Sequence, residues 1–321
     1  MPREGLVSTI IPVFNRSALL REAAASVLAQ TYRPIEIIIV DDGSTDDTFQ
    51  AVAALRAEHP SIVRYLRIPN GGPGVAREAG RVAAEGEFIQ YLDSDDLLLP
   101  RKFELQVSGL RAHPECDVAY GRTRFYRAGD SPGESSWKRT GERIETMFPS
   151  FLQSRWWDTS TPLYRRTVTD RAGEWLTLRN EEDWEYDCRV ASQGIRLHYC
   201  PEYVSDTRTH CGNMLSRGGR NAAKLHDRAE AHRLILGHAQ RAGITCHTPE
   251  MRHFARELFL LARQCGAAGL FDEAQMLFEL SRSASTPDRR RGLDFIAYRA
   301  AASVLGWSLA GRIACSLEHF R

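Results

Sequence analysis

The chain has 321 residues, 43% of them hydrophobic and 26% charged, and its 42 Lys and Arg against 41 Asp and Glu leave a net charge of +1. That length suggests two domains, and the apolar share excludes a disordered or fibrous chain. The charge balance gives no electrostatic basis for nucleic-acid binding, and seven cysteines without C-x-x-C spacing indicate reduced thiols rather than a zinc ribbon or a disulfide framework.

The N-terminal apolar run is short and broken by Pro12, so it reads as a first buried strand over residues 6–14 and not as a targeting segment. Residues 18–29 have helical spacing, with Ser17 as the expected N-cap. The β-branched run 35–41 (IEIIIVD) predicts a strand buried on both faces. A helix follows over 46–59, a strand over 62–68, a helix over 75–84 opened by Asn70-Gly71-Gly72-Pro73-Gly74, and a strand over 87–92. Alternation of this kind predicts an α/β fold with a mostly parallel sheet. A helix is expected over 100–112. Residues 129–143, rich in Gly, Ser and charge, read as a loop, and 144–210 as short mixed elements with many aromatics. From about Arg220 the pattern is helical throughout, with a hairpin of 253–267 and 271–282 around Gly269. The longest uncharged run, residues 300–311, has 12 residues, against about 20 for a membrane span.

Two acidic motifs end strands. Asp41-Asp42-Gly43-Ser44 closes the second strand, at the sheet edge where ligands bind in open α/β folds; an Asx-turn before a helix fits the same residues. Asp93-Ser94-Asp95-Asp96 closes the fourth strand. Three carboxylates in four residues repel one another unless a cation sits among them, and a solvated acidic loop is the alternative. The Gly-rich segment at 70–74 presents backbone N–H groups and a helix N-terminus suited to a phosphate, without the spacing of a dinucleotide fingerprint. Arg77, one turn into that helix, is either a phosphate contact or a surface cation. Trp156 and Trp157 suit stacking on a sugar ring or packing in a core.

In order along the chain, STIIPVFN, SVLAQTY, IIIVDDGSTDDT, NGGPGVAREAG and EFIQYLDSDDLLLP together resemble the family-2 glycosyltransferases. The resemblance implies a GT-A fold, Rossmann-like, with a mostly parallel mixed sheet flanked by helices, over 1–215. Within it, 1–116 would bind the nucleotide sugar and 117–215 the acceptor, with a C-terminal all-helical region over 216–321. Implied donor contacts are Pro12, Val13, Phe14, Asp42, Arg77, Asp93 and Ser94. Implied ligands for Mn²⁺ or Mg²⁺ are Asp95, Asp96 and His210. Asp183, in Asn180-Glu181-Glu182-Asp183-Trp184, is the implied base, with Glu182, Trp156 and Trp157 toward the acceptor. Ala-Arg-Glu at 76–78 departs from the family's common Ala-Arg-Asn. One base and one metal site imply inversion, because retention through a covalent intermediate needs a second carboxylate. The expected enzyme moves a sugar from a nucleoside diphosphate sugar, UDP-sugar favoured, to a hydroxyl of a carbohydrate or lipid-linked acceptor in bacterial surface polysaccharide synthesis. Its expected place is the cytoplasm or the inner face of the cell membrane, with membrane contact or a homodimer through the C-terminal helices. The rival readings are a nucleotidyltransferase and a catalytically idle nucleotide-sugar-binding scaffold.

Overall fold

The computed structural model describes residues 2–127, 129–209 and 221–318. The chain forms two compact units, one of Met1–Met147, Trp156–Thr177 and Gln193–Gly212, the other of Phe148–Arg155, Leu178–Ser192 and Asn213–Arg321. The division does not follow a single cut near residue 215. Two short segments join the helical unit because their aromatics pack there: Trp184 donates its indole N–H to the Phe151 carbonyl at 2.8 Å and lies edge-on to His232 and Phe254.

The first unit carries one mixed sheet of eight strands. In chain order its elements are β1 (Arg3–Val13), α1 (Ser17–Leu28), β2 (Ile35–Asp41), α2 (Thr48–Glu58), β3 (Val63–Arg67), α3 (Pro73–Ala83), β4 (Gly86–Tyr91), β5 (Leu97–Leu98), α4 (Lys102–Ala112), β6 (Val118–Arg127), β7 (Leu163–Arg165), α5 (Arg166–Ala172) and β8 (Leu197–Thr209). The strand order is β3-β2-β1-β4-β7-β6-β8-β5. The first four are mutually parallel. Three-residue β7 then joins β4 to β6, antiparallel to both, through Phe88–Arg165 and Ile89–Tyr164 on one side and Val118–Tyr164 and Ala119–Leu163 on the other.

All seven residues of β2 are buried, as a β-branched strand between two layers requires. Val7, Ile11, Ile37, Ile39 and Phe88 from the sheet meet Leu20 and Val27 of α1 and Phe103 of α4 in one apolar core. Ser17 is not the cap of α1. Arg16 occupies that position without a side-chain cap, and the Ser17 hydroxyl donates to Asp47 instead. On the opposite side, α3 approaches β1 so closely that a Cβ on Gly80 would stand 2.3 Å from Ile10 Cγ2. Gly80→Ala is therefore expected to lower unfolding free energy by about 1–3 kcal/mol, the usual cost of overpacking. Chemical denaturation measures this, and an unchanged midpoint would mean that α3 rides freely over the sheet.

The second unit comprises a 3-10 turn (Ser150–Leu152), α6 (Glu182–Ala191), α7 (Ala222–Arg241), α8 (Pro249–Ala267), α9 (Phe271–Ala284), α10 (Pro287–Arg290) and α11 (Leu293–Glu318). Helices α8 and α9 form the expected hairpin, with Gly269 at φ +83° in the turn, a conformation glycine adopts without strain. Cys116, Cys188, Cys200, Cys246 and Cys265 are free thiols.

Candidate active site

Strands β2, β1 and β4 are adjacent and parallel, so their carboxyl ends open on one edge of the first unit. There the two aspartates after β2 divide their work. Asp41 is buried and accepts from the Ser44 N–H at 2.7 Å and from the Tyr65 hydroxyl at 2.8 Å. Burial, followed by the Asp41 carboxylate beside it, raises the Tyr65 phenol to about 12. Asp42 reaches across to the Gly-rich segment. One of its oxygens accepts from the Gly71 N–H at 2.7 Å and the other from the Gly72 N–H at 2.9 Å. Asn70 donates to the Asp42 carbonyl at 2.9 Å. Gly43 holds φ +76°, and a Cβ there would meet Asn70 N at 3.0 Å. The acidic turn is thus clamped to the loop that opens α3. At the end of β1, Pro12 and Val13 are buried, while Phe14 is 45% exposed.

After β4, Asp93 accepts from Arg77 at 2.8 Å. Arg77 is not a surface cation: it is 3% exposed and its guanidinium lies 4.9 Å from the Trp175 ring centroid. Asp95 accepts from Arg16 at 2.8 Å, and Arg208 donates through Nε to the Asp95 carbonyl at 2.8 Å. Ser94 is buried. Asp96 turns into the fold, where it accepts from the Arg208 N–H at 3.1 Å and the Ser160 hydroxyl at 3.1 Å. Burial, then the charges of Asp95, Asp93 and Asp158, push its carboxyl well above the usual range.

Among the described residues no three His, Cys, Asp or Glu side chains are grouped as a metal cage. Asp93 and Asp95 do supply hard carboxylate oxygens, with 33% and 13% of their side chains open. Two carboxylates fit Mg²⁺ or Mn²⁺ held partly by substrate phosphates, which these ions accept more readily than an all-protein cage. Arg16 and Arg77 meanwhile supply the positive charge that such a cluster needs. His210 and the segment 213–217 lie outside the described residues.

The second unit holds the other acidic motif. Glu181 takes a left-handed conformation, φ +62°, just before α6. Burial acts to raise its carboxyl, but His232 and Arg228 outweigh it and hold the group below its usual range. Glu182 is buried. Asp183 accepts from Arg155 at 2.5 Å and from the Trp184 N–H at 2.8 Å, and Arg155 also donates to Asp187 at 2.6 Å. In the first unit Trp156 and Trp157 are fully buried, with Arg139 stacked 3.9 Å from the Trp156 ring centroid and Tyr120 tilted against Trp157. Both rings serve as core here.

Reading the sequence missed the arginines that hold these carboxylates: Arg16, Arg155 and Arg208. Arg16 follows the first strand directly and carries a signal by position. Arg155 and Arg208 are isolated cations far along the chain from their partners.

The sequence profile described as glycosyl transferase family 2 matches residues 8–168. An uncharacterized glycosyltransferase of Rickettsia conorii is 34% identical over 148 residues, 46% of this chain and 24% of that protein. The glycosyltransferase GlyG of Streptococcus pneumoniae is 34% identical over 138 residues, 43% of this chain and 44% of that protein. The match thus spans about a quarter to under half of these relatives' length. Among solved structures, S. aureus TarS 1–349 in complex with UDP-GlcNAc superposes with a TM-score of 0.73 at 17% identity, covering 98% of this chain and 92% of that one. The mannosyltransferase PcManGT from Pyrobaculum calidifontis, in complex with GDP-Man and Mn²⁺, gives 0.52 at 20% identity, covering 94% and 86%. At such identities the likeness establishes the fold, which is GT-A.

Proposed function

The chain belongs to glycosyl transferase family 2, and from that premise we propose that it is an inverting, metal-dependent glycosyltransferase that moves a sugar from a nucleoside diphosphate sugar to a hydroxyl acceptor. The observation that carries the reading is one sheet edge where three neighbouring strands deliver Phe14, Asp42 and the Asp93–Asp96 motif together. The exposed Phe14 ring offers a face to the base, and Asp42 holds the Gly71–Gly72 backbone in place beneath the nucleotide. Arg77 and Asp93 bind toward the diphosphate and the sugar, with Ser94, Pro12 and Val13 as walls. A divalent cation bound by Asp93 and Asp95, with His210 as a further ligand by resemblance, would neutralise the leaving diphosphate; Asp96, which the resemblance also offers as a ligand, faces Ser160 and the Arg208 N–H inside the fold instead.

In the reaction the acceptor oxygen bonds to the anomeric carbon while the bond from that carbon to the diphosphate breaks. The acceptor's proton passes to the Asp183 carboxylate, and the nucleoside diphosphate leaves with the electron pair. A single displacement inverts configuration. UDP-sugar is the favoured donor, and a carbohydrate or lipid-linked hydroxyl in surface polysaccharide synthesis the favoured acceptor.

The test is a thermal-shift screen of UDP-, GDP- and dTDP-sugars with and without Mn²⁺. A ligand that binds only the native state at about a hundred times its Kd adds ~2.7 kcal/mol of stability. UDP-sugars with Mn²⁺ are expected to raise Tm by several degrees. The absence of a shift with every donor would sink the nucleotide-sugar reading.

A further inference from the structure

Helix α11 has two unlike faces. Its inner face belongs to the core of the second unit. Phe295 stacks on Phe259 with centroids 4.6 Å apart, Trp307 lies 5.6 Å from Phe278, and Tyr298, Ala302 and Ala310 are buried. The contact is close enough that a Cβ on Gly311 would stand 2.5 Å from Ala267 N. The outer face is apolar and open. Leu293, Ile296 and Val304 recur at helical spacing opposite Phe295, Tyr298 and Ala302, and Val304 is 81% exposed. Beyond Gly306, which breaks the helix at φ 76°, Leu309, Ile313 and Leu317 continue an exposed row at i, i+4, i+8.

Between its two ends this face carries charge of one sign. Residues 295–317 contain Arg299 and Arg312 and neither Asp nor Glu, and both arginines are exposed. From 288 to 321 there are six Arg against three acidic residues, a net charge of +3. At the start of the helix Asp294 is engaged with Arg289, and Glu318 follows Leu317 at its end.

By length and composition Pro287–Leu317 would suffice to cross a membrane. Crossing would strip Phe295, Tyr298 and Ala302 from the aromatic core and place the break at Gly306 in hydrocarbon, where its backbone groups would lack partners. A helix that keeps its inner face on the protein and offers its outer face to headgroups meets neither cost. A second copy would bring a segment of the same net positive charge, which repels, whereas anionic headgroups complement Arg299 and Arg312. We infer that the outer face of α11 docks on the surface of an anionic phospholipid bilayer, with its leucines, isoleucines and Val304 below the headgroups and its arginines among the phosphates. The inference stands on this helix alone and does not depend on the catalytic reading.

Flotation of the full chain tests it, with vesicles of phosphatidylglycerol mixed into phosphatidylcholine and vesicles of phosphatidylcholine alone. The wild-type chain is expected to float with the anionic vesicles, and less so as salt rises. Val304→Glu with Leu309→Glu should reduce partitioning at least about tenfold. Arg299→Gln with Arg312→Gln should reduce it roughly tenfold on anionic vesicles and leave the neutral ones unchanged. Both pairs change exposed side chains, and thermal melting confirms that each variant is folded. Wild-type chain that stays at the bottom of the gradient at low salt overturns the proposal, as does equal flotation of the Glu variant. A dimer in sedimentation that the Glu substitutions split, without flotation, assigns the face to a second copy and also overturns it.

Discussion

Asp183→Asn is expected to lower kcat by about 10²–10⁴-fold, the range over which a positioned general base acts, while donor affinity stays at the wild-type value. The substitution is nearly isosteric. An amide oxygen can still accept from the Trp184 N–H, which now donates to Asp183 at 2.8 Å, so the start of α6 keeps its contact. What disappears is the capacity to hold a proton in the transition state, which marks kcat and kcat/KM alike. Steady-state kinetics with a nucleotide-sugar donor, paired with calorimetric donor titration, separates the outcomes. Near-normal turnover removes Asp183 as the base. An equal fall in donor affinity and rate makes its carboxylate, shared with Asp187 through Arg155, a structural one.

Asp95→Asn is the second large effect. Replacing groups that merely support a metal ligand already costs 10–100-fold in metal affinity, so loss of a ligand carboxylate should cost at least about 100-fold. The fold should survive, because an amide oxygen can still accept from Arg16, which pairs with Asp95 at 2.8 Å. Calorimetry of UDP binding with and without Mn²⁺ is the readout. In the wild type Mn²⁺ should tighten binding, and in the variant that gain should vanish while the metal-free affinity stays. A variant that retains the full Mn²⁺ gain would take Asp95 out of metal binding and leave it a partner of Arg16 alone.

The parallel half of the sheet was legible because burial on both faces demands an unmistakable run: IEIIIVD at 35–41 has no amphipathic reading. The acidic turns were legible because each directly ends such a strand. Their partners were not. Nothing near Arg155 in sequence announces Asp183, and the Arg16–Asp95 pair joins residues 79 apart. Such pairs exist only through the topology. The choice between wall and core for Trp156 and Trp157 likewise needed burial, since an indole suits both. Helix α11 shows the converse limit: the sequence displayed its apolar residues and arginines, but only packing sorted Phe295 inward and Val304 outward.

The sheet's continuity rests on β7. Within the sheet, the three residues of β7 join the parallel strands β1–β4 to the β6–β8–β5 half, through four opposed pairs. Cohesion within each half is far denser, with β1 matched to β2 over seven positions and β6 to β8 over ten. Cooperative units follow such differences in density. The line along Leu163–Arg165 is therefore the thinnest part of the sheet's own ladder, and what bridges it is side-chain packing: Val7 and Phe88 on one side and Leu98 and Ala119 on the other share one apolar core with Phe103 of α4.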